Sequence, residues 1–470
     1  MLDSGDYPPG SRLPPVRALA QRFKVNNLTA LQAYRWLEQQ QRVVARARSG
    51  FFAAACASSH GVESERQAAP ITWVHIDDRV SSLLSLSSAA LDVPLHMAEA
   101  DAGYYPSAEL ARRLQHKLQR DPSLLGAHLP VAEQQLLRGE LIRLAAERQM
   151  QLPQQQILMT HGCTEAIQLA LRCLTRPGDV VAVESPVYFG LLQTLESLGL
   201  KALEIPCSAQ YGLSLEALEF ALRYGPAIAC LVVVPHFQNP TGALMPDENK
   251  KQLLELARQY NLPMIEDDVF GDLHHSGERP IPIKAWDHDG RVIYCASFTK
   301  SFAPAFRLGW TSGGKIHERM ERLKISNSYV SSALIQATMA DCLASGLYAR
   351  QVAHMRQQLA QQCRRLTEAV LAAFPRGTTV SQAQGGMLLW IKCPAGLDSI
   401  RLLQQALPHS LSFAPGPVFS AEPRFENCLR LSAGHPWTPR LQQAIQTLGR
   451  LVHEQLTDLL VSSKQFGPNA

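Results

Sequence analysis

The chain has 470 residues, of which 46% are hydrophobic, and a formal net charge of +4 at pH 7. This length exceeds what one compact core usually serves, so we expect two or three folding units of an ordinary globular protein. The composition excludes a helical membrane protein, because the longest apolar run, residues 227–235, is shorter than the roughly 18 residues of a spanning helix.

The N-terminus and the cysteines predict a cytoplasmic location. The first ten residues carry two aspartates and two prolines instead of a basic start and an apolar core, so no signal peptide is expected. The ten cysteines are scattered between Cys56 and Cys428 without a Cys-x-x-Cys pair. This spacing is typical of reduced thiols and predicts neither a disulfide framework nor a metal site.

The charge is concentrated at the N-terminus. Residues 1–55 hold eight basic and three acidic residues, a net charge of +5, while the remaining residues hold 37 basic and 38 acidic ones, a net charge of −1. A small basic module before a near-neutral body favours a nucleic-acid-binding arm, although a solvated basic face would give the same count.

The same module has the pattern of a winged helix-turn-helix. Residues 16–23 and 28–40 each place apolar side chains on one helical face, with a turn between them. Residues 43–48 and 51–55 are β-prone and flank Ser49-Gly50, which predicts a hairpin.

The segment PPGSRLPPVRALAQRFKVNNLTALQAYRWLEQQQRVVARARSGFF resembles the winged-helix domain of the GntR family of bacterial regulators. Family members have a full amphipathic helix before this segment, whereas only ten residues precede Ser11 here, so the first helix is expected to be missing. The resemblance implies phosphate contacts, a recognition helix and a wing in the adjacent groove. The implied DNA-binding residues are Arg12, Arg17, Asn27, Thr29, Arg48, Ser49 and Gly50.

A connector and an α/β domain are predicted after residue 55. Residues 56–70 lack apolar periodicity and indicate a flexible connector, with the large domain beginning at about residue 76. Apolar runs of strand length then alternate with amphipathic helices, which predicts an α/β fold with a mainly parallel sheet covered on both faces.

Four predicted strands end in polar clusters. The strands at residues 180–183, 230–234, 263–266 and 292–295 lead into ESP, PHFQNPTG, DD and SFTK, respectively. Because ligands bind beyond the carboxyl ends of the strands in open α/β sheets, these clusters should converge on one crevice.

The clusters contain the groups that a pyridoxal 5'-phosphate site needs. Lys300, with Ser297 before it, could form a Schiff base, although a lone Ser-x-x-Lys is more often a surface lysine at a helix start. Gly162-Cys163-Thr164 follow a strand at residues 157–160 and open a helix, so their amide groups could bind a phosphate that Arg307 also clamps.

Three further residues complete this predicted site. Asp267 could keep the pyridine nitrogen protonated, Asn239 could donate to the phenolic oxygen, and Tyr188 could stack on the ring. Separately, Asp267 could be a helix cap and Tyr188 a core aromatic residue. Together with the phosphate cradle they favour a cofactor site.

The motifs NPTG, EDDVF, SFTK, the later Arg307 and LRLS occur in the order of the fold-type-I aminotransferases, which residues 94–451 resemble. The resemblance implies the cofactor roles above, a substrate carboxylate on Arg430, and a small subdomain at about residues 315–470. The family commonly has a tyrosine three residues after the aspartate, where this chain has Phe270. We therefore predict cofactor binding with slow transamination, and faster turnover in a Phe270→Tyr variant.

A GntR-like winged helix followed by an aminotransferase-like domain is the architecture of MocR-type regulators, which this chain resembles over nearly its full length. The resemblance implies a homodimeric, DNA-binding regulator that senses an amino compound or the cofactor itself. The alternative is a cytoplasmic aminotransferase whose truncated arm no longer binds DNA. The two are distinguished by binding to promoter DNA.

Overall fold

The computed structural model describes residues 13–15, 43–46, 50–53, 71–86, 91–126 and 131–465, together with Ser11 and Ala18. The chain divides into two compact units, Met1–Glu65 and Arg66–Ala470. In the first unit, β1 (Val43–Arg46) pairs antiparallel with β2 (Gly50–Ala53), which confirms the predicted hairpin with shorter strands. The two predicted helices and the expected loss of a first helix concern residues outside this description, apart from Ala18, which is helical.

The second unit contains a sheet of nine strands in the order β3-β7-β6-β9-β10-β11-β12-β5, with β8 paired to β7. The strands are β3 (Ile71–Trp73), β5 (Ile157–Thr160), β6 (Val180–Ser185), β7 (Lys201–Ser208), β8 (Gly212–Leu213), β9 (Ile228–Val233), β10 (Met264–Asp267), β11 (Val292–Ser297) and β12 (Gly309–Ser312). The strands from β7 to β11 pair in parallel, whereas β3, β12 and β5 pair antiparallel with their neighbours. The predicted mainly parallel sheet is therefore confirmed.

The helices of the second unit cover this sheet and a smaller one. Their bounds are α1 (Asp77–Ser85), α2 (Ser107–Arg120), α3 (Val131–Glu147), α4 (Cys163–Leu174), α5 (Phe189–Ser197), α6 (Leu215–Tyr224), α7 (Asp247–Gln259), α8 (His317–Asn327), α9 (Ala333–Ala344), α10 (Leu347–Ala373), α11 (Ser399–Ala406) and α12 (Pro439–Gln465). Within the described part of the chain, none of the helices is long and apolar enough to span a membrane.

Strand β6 shows how both faces of the large sheet are buried. Every residue of β6 is buried. Val181 and Val183 belong to one apolar cluster, while Val180 and Ala182 belong to another. Successive side chains of a strand point to opposite faces, so the apolar residues 180–183 require that both faces of the sheet are covered.

A second sheet has its own core. It has the order β13 (Thr379–Val380), β14 (Leu388–Lys392), β17 (Cys428–Ser432) and β16 (Ala414–Pro415), while β15 (Leu411–Ser412) pairs with β4 (Val93–Pro94). Leu389 and Leu431 pack there with side chains of α10 and α12. Met320 of α8 and Met339 of α9 instead join the cores of the large sheet. The two helices that follow residue 315 therefore pack with the large sheet.

Two segments near the start of the second unit join its two sheets. Residues Ile71–Trp73 form the edge strand β3 beside β7, close to the end of the predicted connector. Val93 and Leu95 lie in the core of the smaller sheet, and the Leu95 carbonyl accepts a hydrogen bond of 3.0 Å from the Ser432 amide. The segment around residue 95 is thereby attached to β17, which carries Arg430.

Gly309 allows β12 to approach the loop after β5. A Cβ atom at Gly309 would lie 2.7 Å from the carbonyl carbon of Gly162 and 2.8 Å from the carbonyl oxygen of Ala296. We expect Gly309→Ala to lower the free energy of unfolding by about 1–3 kcal/mol, because buried backbone would have to move. Urea unfolding of the two proteins measures this change.

Gly139→Ala is the matched control for this prediction. Gly139 lies within α3, and a Cβ there would meet no atom within 4 Å. It should raise stability by about 0.5–1 kcal/mol, because alanine favours a helix over glycine. Similar stabilities for the two alanine variants would contradict the importance of close packing at Gly309.

Candidate cofactor site

The predicted site residues follow the carboxyl ends of neighbouring parallel strands. Asp267 ends β10, Lys300 follows β11, and Asn239 follows β9. Tyr188 follows β6 and caps α5. Since these strands run in parallel in the sheet, their carboxyl ends lie at one edge, where open α/β sheets bind ligands.

The loop between β5 and α4 brings the start of a helix close to Arg307 and Thr299. Gly162 caps α4 with a φ of 85°, a conformation that favours glycine, and no side chain caps the helix. A Cβ at Gly162 would lie 3.2 Å from Arg307 Nη2 and 3.7 Å from Thr299 Oγ1. The first amide groups of α4, which include those of Cys163 and Thr164, and the Arg307 guanidinium therefore suit a phosphate.

Thr299 adds a hydroxyl that sequence reasoning missed. Its Oγ1 atom is buried beside the glycine loop and has no hydrogen-bond partner among the described residues. Buried hydroxyls are normally hydrogen-bonded, so this atom marks a place for an additional acceptor. Ser297, which the sequence did predict, receives a hydrogen bond of 3.3 Å on its Oγ from the Thr299 amide.

Asp267 lies beside the start of α4. Its Oδ1 atom accepts hydrogen bonds of 3.2 Å from Cys163 Sγ and 3.0 Å from the Val269 amide. Burial raises the pKa of Asp267 to about 6. Burial and the Asp267 carboxylate also raise the pKa of Cys163, so this thiol remains a protonated donor. Cys163 was predicted for its amide group, and its thiol contact with Asp267 emerged only from the structure.

Lys300 lies among charged groups. Its Nζ atom is 3.5 Å from Glu99 Oε1, an ion pair that sequence reasoning did not identify. Burial lowers the pKa of Lys300, Arg430 and Arg307 lower it further, and Glu99 opposes the shift. A lowered pKa favours the neutral amine, which is the nucleophilic form.

Arg430 is a buried cation without a carboxylate partner among the described residues. It is 1% exposed, and Nη1 donates to Asn239 Oδ1 at 2.9 Å while Nη2 donates to the His96 carbonyl. Its Nε atom has no hydrogen-bond partner in the part of the chain that the structure describes. Burial lowers the pKa of Arg430 to about 10. The guanidinium is therefore available for a ligand carboxylate, with a fork geometry that suits it.

Asn239 and Tyr188 lie next to Arg430. Because Arg430 donates to the Asn239 carbonyl oxygen, the amide nitrogen of Asn239 is left as the donor for another group. Burial raises the pKa of the Tyr188 hydroxyl, whereas nearby Arg430 opposes this. A side chain at Gly190 would overlap the Tyr188 ring, with a Cβ only 2.5 Å from its carbon atoms. The absence of a side chain at Gly190 thus allows the Tyr188 ring to take this position.

Phe270 lies in an apolar cluster. It is 2% exposed and packs with Tyr104, Phe237 and Leu388. These contacts explain why an aromatic residue fits at this position, and they concern packing rather than the rate of transamination. Slow turnover and its increase in Phe270→Tyr therefore stay predictions.

Asp268, the second aspartate of EDDVF, anchors the end of β10. Its Oδ1 atom lies 2.6 Å from His236 Nδ1, and its Oδ2 atom accepts hydrogen bonds from the Tyr294 hydroxyl at 2.5 Å and from Arg279. Despite burial, Arg279 and His236 hold the pKa of Asp268 well below its usual range. Adjacent aspartates after a strand were a signal for this network, because neighbouring side chains point in opposite directions.

Of the predicted DNA-binding residues in the N-terminal unit, the structure describes one. Gly50 is the first residue of β2. Arg12, Arg17, Asn27, Thr29, Arg48 and Ser49 lie outside the described residues.

Residues 103–448 match the family model described as aminotransferase class I and II, and residues 1–53 match the one described as bacterial regulatory proteins, gntR family. The uncharacterized HTH-type transcriptional regulators YjiR and YdcR of Escherichia coli (strain K12) are both 34% identical to the chain, with 97% of each sequence covered. The chain belongs to the MocR-type GntR regulators.

As in the other MocR-type regulators, a GntR helix-turn-helix domain precedes an aminotransferase-like domain in this chain. Kynurenine aminotransferase of Pyrococcus horikoshii superimposes with a TM-score of 0.74 at 28% identity, covering 80% of this chain and 95% of its own. The family and this fold imply pyridoxal 5'-phosphate as the cofactor. Full-length similarity to regulators favours the regulator over the alternative aminotransferase with an inactive arm.

The raised pKa of Asp267 has a measurable consequence for the cofactor-free protein. A carboxyl group whose pKa is raised on folding stabilises the fold below its unfolded value near 3.8, and this contribution is lost as pH rises through about 6. Asp267→Asn keeps an oxygen acceptor but cannot ionise. Thermal melting should show the variant gaining stability over the native chain between pH 5 and pH 8, on the order of 1–2 kcal/mol. A difference that does not change with pH would contradict the predicted ionisation.

Proposed function

We propose that this regulator senses an amino compound in the crevice around Lys300 and transmits its binding to the winged helix. The observation that carries this proposal is Arg430, a buried guanidinium that meets only neutral acceptors among the described residues. Leaving a buried charge without a counterion is unfavourable, so a ligand carboxylate there would gain a strong charge-assisted interaction.

Each cofactor contact is assigned to a residue of the crevice. Bound pyridoxal phosphate supplies an aldehyde carbon that reacts with amines and a ring that withdraws electrons. Lys300 is the proposed covalent attachment point, because burial favours its neutral amine. The amide groups of Gly162, Cys163 and Thr164, together with Ser297 and Arg307, are the proposed phosphate ligands. Asp267, Asn239 and Tyr188 would hold the ring through its nitrogen, its oxygen and its face, respectively.

The fit of these groups to the cofactor rests on hydrogen-bond donors and charges that have few partners among the described residues. The α4 amide groups and the buried Thr299 hydroxyl provide donors for an anion. Among the described residues, Asp267 receives hydrogen bonds from one thiol and one amide, both on Oδ1, so it can also accept a hydrogen bond from a protonated ring nitrogen. Arg430 would then orient the amino compound through its carboxylate, which places the amine toward Lys300.

The winged helix supplies the output of this sensor. We assign DNA binding to residues 1–55. The predicted connector of residues 56–75 overlaps β3, so we place the start of the sensing domain at that strand. The small subdomain predicted at about residues 315–470 would begin after α8 and α9, which pack with the large sheet. In the cytoplasm, a homodimer would present two winged helices to the two half-sites of its operator DNA. Ligand binding can shift affinity for DNA only if it favours one of two dimer conformations.

Replacing Lys300 tests the sensing site. Lys300→Ala should abolish the visible absorption of covalently bound cofactor and the response of DNA binding to amino compounds. Absorption spectra and electrophoretic mobility shifts of the full chain measure the two effects. Lys315→Ala is the matched control, because Lys315 is 63% exposed and lies 4.0 Å from Asp289 rather than in the crevice. An unchanged DNA response in Lys300→Ala would overturn the proposal.

DNA binding is tested by its dependence on salt. The chain should bind its own promoter region with an affinity that falls with salt concentration, and Arg17→Ala should weaken binding to all sequences and lower the salt slope by about 1. Fluorescence anisotropy over a salt series measures both quantities. Absence of salt-dependent binding by the native chain would instead favour the aminotransferase with an inactive arm.

A further inference from the structure

Glu99 introduces a negative charge beside the reactive lysine. Its Oε1 atom lies 3.5 Å from Lys300 Nζ, and its side chain is 48% exposed. Solvent thus reaches a carboxylate at the position where an amino compound would meet the lysine. The carboxylate of Asp267, on which the charge of Lys300 acts, already receives two hydrogen bonds beside α4.

The backbone of Glu99 is held against the strand that carries Arg430. Ser432 donates from its amide to the Leu95 carbonyl at 3.0 Å and from its hydroxyl to the Glu99 carbonyl at 3.4 Å. Beyond β17, the Asp101 amide donates to the Gly434 carbonyl at 2.8 Å. The segment around Glu99 is therefore fixed on both sides.

Gly434 makes this close approach feasible. A Cβ at Gly434 would lie only 2.1 Å from the Glu99 carbonyl oxygen. The same segment contains His96, whose carbonyl accepts a hydrogen bond from Arg430. Glu99 and Arg430 consequently belong to one connected structure, with Lys300 close enough to both for their charges to affect its amine.

The charges of the crevice define the ligand that fits it. In the proposed function, Arg307 is used by the cofactor phosphate and Arg430 by the carboxylate of the amino compound. A bond between the ligand amine and the cofactor's aldehyde carbon would break the bond to Lys300 and release that lysine, so the charge argument concerns the ligand that binds while Lys300 still holds the cofactor. In that state the Lys300 amine is not a free partner for Glu99. A second positive group on the ligand could take that place, whereas a second carboxylate would meet a like charge.

We propose that Glu99 makes the site selective for amino acids with a cationic side chain and disfavours dicarboxylic amino acids. This proposal rests on the proposed sensing function and specifies its ligand class. Glu99 acts in it as a specificity-determining residue, since no proton transfer or bond change is required of it.

Three amino acids of similar length test the selectivity. L-Lysine, L-norleucine and L-2-aminoadipate carry a positive, an uncharged and a negative side-chain end, respectively. Each is titrated into the cofactor-loaded full chain, with the cofactor spectrum and calorimetric binding as readouts. We expect lysine to bind about fivefold more tightly than norleucine, and aminoadipate to bind more weakly, because a partly exposed ion pair contributes up to about 1 kcal/mol.

Variants at Glu99 isolate the charge. Glu99→Gln should remove most of the fivefold preference for lysine, Glu99→Asp should retain a preference, and Glu99→Lys should favour aminoadipate. Glu454→Gln is the matched control, because Glu454 is a 53% exposed partner of Arg450 on α12, outside the crevice. It should leave the order of the three ligands unchanged.

The outcomes separate this proposal from the sensing function. Equal binding of lysine and norleucine to the native chain, or an unchanged ratio in Glu99→Gln, would overturn the selectivity while leaving sensing intact. Loss of cofactor from Glu99→Gln but not from Glu454→Gln would assign Glu99 to holding Lys300 and would also overturn it. If the loaded chain responded to no amino compound, both proposals would fail.

Discussion

The geometry of the crevice depends on the buried carboxylate of Asp268. Its partners come from separate parts of the chain, since His236 follows β9, Tyr294 lies on β11, and Arg279 belongs to the loop after β10. Arg279 continues the network to Asp272 at 2.6 Å. A buried charge tolerates few arrangements of its partners, because losing one leaves a charge without compensation.

This constraint acts on the cofactor site through Asp267. With Asp268 held in the network, the adjacent Asp267 faces the start of α4, where Cys163 donates to it. Gly162 and Gly309 allow the backbones on that side to approach closely. The ring-binding and phosphate-binding parts of the proposed site thus share one rigid support, as precise ligand geometry requires. The network therefore serves to hold side chains in position, since a buried ion pair by itself is weak evidence for stability.

The charges of the crevice connect the sensing proposal to ligand selectivity. The guanidinium groups of Arg307 and Arg430 both act on the Lys300 amine, and a phosphate and a carboxylate would bring compensating charge to them. Glu99 is an additional negative group on the side of the amino compound. Such an arrangement can discriminate ligands by the charge at their far end without any difference in the chemistry at Lys300. This separation suits a regulator, whose response depends on binding energy between conformations rather than on turnover.

The sequence by itself determined the α/β class and the positions along the chain of the strands that precede the proposed site, and it predicted the site residues Lys300, Asp267, Asn239, Arg307 and Arg430. This was possible because apolar runs mark buried parallel strands, and such strands deliver the residues that follow them to one edge of the sheet. The winged-helix segment was likewise recognisable from its local pattern, and the hairpin of residues 43–53 followed from Ser49-Gly50. Only the tertiary structure decided the contacts of Glu99 with Lys300 and of Cys163 with Asp267, and the absence of a carboxylate partner for Arg430 among the described residues. These pairs join residues more than 100 positions apart, or depend on which groups remain unpaired after packing, and no local periodicity encodes either property.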